Sequence, residues 1–163
     1  MSLNNRVQPH HGRAMTSMSA QGITLQTWDE LSFHDFLGNR LAILEIEDED
    51  GEPGTAAILC IDYQPGFFVA AHKHRTGHVE LIVDGSLRVG DQWEHKGDIR
   101  VVPAGVSYGP IQAGDQGCKG MEFFADRKDI LPLLDDHIAL TQPDADAAML
   151  RARLARLLKV DPD

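Results

Sequence analysis

From residue 22 to residue 125 the chain is interrupted about every ten residues by glycine, proline or an acidic turn, and the stretches between are short and apolar. Such stretches are too brief for ordinary helices, and several alternate apolar with polar residues, the period of a half-buried strand. ITLQTW (23–28), LAILEIE (41–47), TAAILCIDY (55–63), FFVAAHKH (67–74), IRVVPAG (99–105) and GCKGMEFFA (117–125) read as strands. EDEDGEPG (47–54) reads as a solvated turn. Gln64-Pro65-Gly66 reads as a tight one, since proline presets φ and glycine accepts positive φ. ELIVDGSLRVG (80–90) reads as a hairpin with Asp84-Gly85 at its corner, and DQWEHKGD (91–98) as a short connection. SFHDFLGNR (32–40) is ambiguous. Eight or so strands at this spacing predict an all-β antiparallel sandwich or barrel rather than βαβ units.

The two ends differ from this middle. Residues 1–20 are polar and aperiodic, and are expected to form a flexible arm in which His10 and His11 are solvated. Near the other end, Thr141-Gln142-Pro143-Asp144 has the features of a helix start. The following residues place Ala147, Leu150, Leu154, Leu157 and Leu158 on one helical face, with Arg151, Arg153, Arg156 and Lys159 gathered toward the end. The expected division is an arm (1–20), a barrel (21–135) and a C-terminal helical segment (136–163) that packs on the sheet or on a partner chain. A chain of 163 residues, 42% hydrophobic, suits one such core.

Charge and composition exclude several classes of partner. A net charge of −10 with no basic stripe disfavours nucleic acid. No apolar run approaches the roughly 18 residues that span a bilayer, so no membrane role is expected. The first twenty residues lack the apolar core of a secretory signal. Cys60 and Cys118 lie in strand-like apolar segments without CxxC spacing and read as buried, reduced thiols. The cytoplasm is the expected location.

Chemistry concentrates in AAHKHRTGHVELIVDG (70–85), which carries three of the eight histidines, His72, His74 and His78, with Glu80 close behind. On a strand, His72 and His74 share a face, and His78 opens the next strand after a three-residue turn. Imidazole suits Fe(II), Ni(II), Cu(II) and Zn(II), and three of them on one side of an ion leave the opposite positions open.

Here the chain resembles the cupin superfamily. The first cupin motif is Gly, five residues, His-x-His, three or four residues, Glu, six residues, Gly. The corresponding residues are Gly66, His72, His74, His78 and Gly85, every spacing fitting, with His78 where the family has Glu. The second motif is Gly, five residues, Pro-x-Gly, two residues, His, three residues, Asn. The chain has Gly97, Pro103, Gly105, Tyr108 and Gln112 at those positions, so Tyr108 replaces the fourth ligand. The resemblance covers about residues 40–125 and implies a cupin-type antiparallel β-barrel, a double-stranded β-helix of jelly-roll kind.

It also implies a divalent transition metal, Fe(II) favoured over Zn, Ni or Cu, held by His72, His74 and His78. Three neutral imidazoles leave a net +2 that attracts an anionic ligand. The leading function is a metal-dependent enzyme acting on a small organic molecule, a dioxygenase if the metal is Fe(II). The alternatives are a non-catalytic metal- or metabolite-binding module and a Zn or Ni Lewis-acid isomerase. Tyr108 and Glu80 are the expected catalytic or pocket groups. Tyr108 ligates iron, hydrogen-bonds substrate, or is an ordinary pocket aromatic; Glu80 is a hydrogen-bond partner of an imidazole or a substitute ligand. Glu122 enters the pocket or stays on the surface. His95 and His137 are expected to be exposed. Val79, Leu81 and Val83 form an apolar outer face that needs a cover, from the C-terminal segment or from a second subunit in a homodimer.

Overall fold

The computed structural model describes residues 25–47, 49, 53–133 and 147–158. The expected arm at 1–20, the helix-start residues 141–144 and His137 lie outside them. The contacts divide the chain into Met1–Ser32 and Phe33–Asp163. In the first unit, Trp28–Glu30 is a single 3-10 turn rather than the end of a strand. The Glu30 carboxylate accepts from the Thr27 backbone N–H (2.7 Å) and hydroxyl (2.9 Å), which satisfies the start of the turn locally.

The second unit is an antiparallel sheet of eight strands: β1 (His34–Phe36), β2 (Asn39–Glu47), β3 (Pro53–Tyr63), β4 (Phe68–Val69), β5 (His78–Val89), β6 (Gln92–His95), β7 (Ile99–Val102) and β8 (Ile111–Phe124). One helix, α1 (Ala147–Leu158), follows. The sheet runs β1-β2-β3-β8-β5-β6, with β4 added to β8 and β7 to β5. The ambiguous 32–40 stretch is the β1–β2 hairpin. Its two turn residues, Leu37 and Gly38, both have positive φ, and fully buried Asn39 clamps it. The Asn39 amide donates to the Phe36 and Leu37 carbonyls and accepts from Gln64 N–H at 2.8 Å.

Asp84-Gly85 is not a hairpin corner. β5 runs straight through it, paired on one side with β7 and then β6, and on the other with β8. Gly85 has φ +76° at a β-bulge, and a Cβ there would lie 2.2 Å from the Gly117 carbonyl oxygen. The glycine therefore permits a close backbone crossing that bends the strand, and its turn-like dipeptide reports a bulge. The expected 67–74 strand is also broken. Only Phe68–Val69 pairs continuously, after which His72 bridges Tyr108 and Lys73 bridges Leu133. Inward–outward alternation survives without the ladder, so Ala70, His72 and His74 are all buried.

Two apolar clusters fill the interior. Phe36, Leu41, Leu59, Ile61, Phe124 and Ile130 form the larger, and Ile82, Leu87, Ile111, Ala113 and Cys118 the smaller. Helix α1 joins the larger cluster through Leu154 and Ala155, and Arg153 reaches Asp35 of β1 at 3.3 Å. The exposed ion pair adds little, whereas burying Leu154 contributes about 2 kcal/mol. Both cysteines are buried free thiols, Cys60 pushed up to about 11 and Cys118 to about 12 by burial. Among the described residues no helix is long and apolar enough to cross a membrane.

Candidate metal centre

The site lies between the two clusters, on interior positions of β5, β7 and β8 and the broken strand at 70–74. On β5, His78 and Glu80 face inward. Across the ladder, His78 stands opposite Val102 of β7 and Phe124 of β8, and Glu80 opposite Arg100 and Glu122. Strand parity thus places Glu80, Arg100 and Glu122 in one row. His74 and His78 pack against Phe124, with ring centroids 5.1 and 4.8 Å away. Tyr108 packs on the smaller cluster.

His74 and His78 are each held by one nitrogen, and His72 by both. His74 Nδ1 is 2.6 Å from the carbonyl of Asp129, in the 3-10 turn Arg127–Ile130 that follows β8. That turn is fixed in its own right, since Thr76 donates to the Asp129 carboxylate at 2.8 Å and Lys73 exchanges backbone bonds with Leu133. His78 Nε2 lies 2.9 Å from Glu80 Oε1. His72 Nδ1 lies 2.9 Å from the Ala70 carbonyl, and its Nε2 lies 3.0 Å from the Tyr108 hydroxyl, which is also 3.2 Å from His78 Nε2. Among the described histidines, two ring nitrogens remain buried without a partner, His74 Nε2 and His78 Nδ1.

Those orphans decide what the site can hold. A neutral imidazole whose N–H is committed to a carbonyl or carboxylate presents its other nitrogen as a lone pair, the arrangement of metal-bound histidine. One donor atom each from His74, His78 and Glu122 lie within 4.8 Å of one another. The residues present therefore fit a divalent ion. The three-histidine set expected from the sequence is divided here: His74 and His78 belong to this group, while His72 is engaged by Tyr108. The carboxylate of the group comes from Glu122, two strands' sequence away.

The electrostatics follow from burial. His74 is lowered to about 3, first by burial and then by the neighbouring His72, so it is neutral. Burial lowers His72 as well. Glu122 is raised well above 4.5 by burial, then by the Glu80 charge, with Arg100 opposing only in part. Glu80 behaves oppositely. Burial pushes it up, but the bond from His78 and the Arg100 guanidinium outweigh that and hold it below its ordinary value. Arg100 pairs with Glu80, reaches Glu94 at 2.6 Å, and stands 5.1 Å from the Tyr108 ring centroid. Tyr108 is raised by burial and by Glu122 and Glu80, so it is a neutral phenol that donates rather than a phenolate.

Arg100, Glu94 and the Asp129 carbonyl carry no sequence motif. One signal existed for Arg100: it alternates with apolar Ile99 and Val101, which places either the charge or the two apolar residues inside. The charge is inside, because Glu80 is there to meet it. His34 and His95 are exposed on β1 and β6.

Comparison with protein-family models and with curated protein sequences returns no match. Solved structures do match. The chain is similar to an RmlC-like cupin protein from Ralstonia eutropha, over 84% of this chain and 89% of that one, with 16% identity and a TM-score of 0.53. It is similar to Lactobacillus farciminis oxalate decarboxylase in a formate complex (20% identity, TM-score 0.54), over 84% of this chain and 41% of that one. It is also similar to a structure of Rhodobacter sphaeroides SigE in complex with the anti-sigma ChrR (20% identity, TM-score 0.50), over 60% and 51%. The chain therefore spans about half or less of the last two. The rolled antiparallel sheet with its short C-terminal helix is the cupin fold. Within it sits a His-His-Glu group suited to a metal ion.

Proposed function

We propose that this chain is a metal-dependent enzyme acting on a small organic molecule, and that iron(II) held by His74, His78 and Glu122 makes it a dioxygenase. The observation that carries the reading is that one donor atom each of His74, His78 and Glu122 lie within 4.8 Å of one another, while His74 Nε2 and His78 Nδ1 are buried without a partner. Two histidines and one carboxylate with open positions are the donor set of non-haem iron oxygenases. Iron(II) so bound supplies a place where dioxygen and substrate meet. The chain's residues do the rest. Arg100 and Glu80 fix the His78 ring. The Asp129 carbonyl fixes His74. Tyr108, a neutral phenol one hydrogen bond from His72, offers its O–H to a developing oxyanion at the edge of the group.

The test is oxygen consumption by anaerobically iron-loaded protein over a panel of small diketones, thiols and 2-oxo acids. Uptake with one class, lost in His74→Ala and reduced about a hundredfold or more in Tyr108→Phe, is expected. Stoichiometric iron with no uptake across the panel would leave a binding module, the second reading. That reading draws on an exposed apolar strip on the outer face: Val79 opposite Val101 and Phe123, with Ile99 opposite half-buried Leu81. Val101 is 71% exposed and Ile99 67%, so neighbouring apolar side chains stand open to solvent on one face. Our reading gives this strip to a second copy of the chain, in the reducing cytoplasm where both thiols persist. Sedimentation should then show a dimer that Val101→Lys converts to monomer; a wild-type monomer at micromolar concentration ends the idea.

A further inference from the structure

The pocket beside the metal group is small, and the C-terminal helix limits it. Its polar side is His72, His74 and Glu122; its walls are apolar, from the larger core cluster, and Leu154 of α1 is one of them. The cavity measures about 70 Å³. A dry cavity that takes benzene measures about 150 Å³, so by proportion this one holds roughly three non-hydrogen atoms. A divalent ion with one carboxylate and neutral imidazoles keeps net positive charge and draws an oxyanion to that end.

We infer that the site takes a carboxylate of one or two carbons, and that Leu154 sets the size limit. The inference rests on the metal reading for the polar end of the ligand, and on geometry alone for the limit. Leucine-to-alanine truncation opens space the surroundings only partly refill, which enlarges the pocket from its helical side. Aromatic substrates are excluded by the same wall. No motif marks Leu154; in the sequence it is one of several leucines on an amphipathic helix, and only the packing of α1 against Phe36, Leu59 and Ile130 makes it a pocket residue.

The experiment titrates cobalt-loaded full-length protein, whose visible bands report the ligands on the ion, with acetate and with benzoate. Acetate is expected to shift the bands in the wild type, with benzoate at least tenfold weaker. Leu154→Ala should close that gap by tenfold or more, while volume-matched Leu154→Met keeps it. Benzoate within threefold of acetate in the wild type, or a ratio that Leu154→Ala leaves unchanged in a folded variant, overturns the inference. If cobalt does not bind, the metal reading fails, and xenon and benzene uptake by the metal-free chain reads the limit instead. Xenon taken and benzene refused upholds it; benzene taken by the wild type overturns it.

Discussion

At neutral pH the metal-free chain should take up one equivalent of zinc or cobalt with release of protons, and Glu122→Gln should bind about a hundredfold more weakly and release fewer. The difference belongs to Glu122, whose carboxyl is raised well above 4.5 by burial and by the charge of Glu80. His74, lowered to about 3, is already neutral and contributes nothing. Affinity therefore climbs about tenfold per pH unit until the Glu122 value is passed. The sign of stability in the metal-free chain follows from the same shifts. A raised carboxyl favours the fold below 4.5, and that contribution fades as pH rises through the folded value. A lowered histidine favours the fold above 6.5, and that contribution fades as pH falls toward 3. Between 4.5 and 6.5 the two slopes oppose. Bound metal neutralises the ionised carboxylate and removes the alkaline loss. Calorimetry in two buffers of different ionisation enthalpy measures the protons, and urea melts across the pH range measure the slopes. Equal proton release from wild type and Glu122→Gln would remove Glu122 from the metal group.

Arg100→Met should cost about 3–5 kcal/mol of stability, the usual result of leaving a buried carboxylate without its cation. Glu80 is only 4% exposed, and the Arg100 side chain only 16%. Solvent therefore cannot take over the guanidinium's part. Glu80 would then rise toward its ordinary value or beyond. In the wild type its depressed carboxyl supports the fold above 4.5 and gives that support up as pH falls. The variant should lose that acid-side slope. Arg100→Met/Glu80→Gln should recover part of the loss, since a neutral amide tolerates the site, and the double-mutant cycle gives the coupling. Urea denaturation decides. A loss under 1 kcal/mol would mean that water reaches Glu80 and that His78 is not held by a charged partner.

These two residues mark the boundary between what was written in the chain and what was not. Turn punctuation and the two glycine-framed motifs determined the cupin fold, because glycine and proline act through local backbone sterics that need no neighbours. The same local logic determined that His72, His74 and His78 face inward, since alternation persists even where the 67–74 ladder breaks. It misread Asp84-Gly85. A positive-φ glycine serves a hairpin and a bulge equally, and only the crossing of the Gly117 backbone tells them apart. The His78 ring is oriented by Glu80, two residues on, but which nitrogen of His74 stays free was decided by tertiary structure alone. His74 takes its orienting bond from Asp129, 55 residues on, and His72 from Tyr108, 36 residues on. Glu122 and Arg100 entered the site because β8 and β7 flank β5 in register with Glu80. Register between strands distant in sequence is set by the whole buried face at once, and no single segment encodes it. The sequence by itself determined a barrel with histidines inside it. The packed sheet decided that two of those histidines, with a carboxylate from another strand, make the place for an ion.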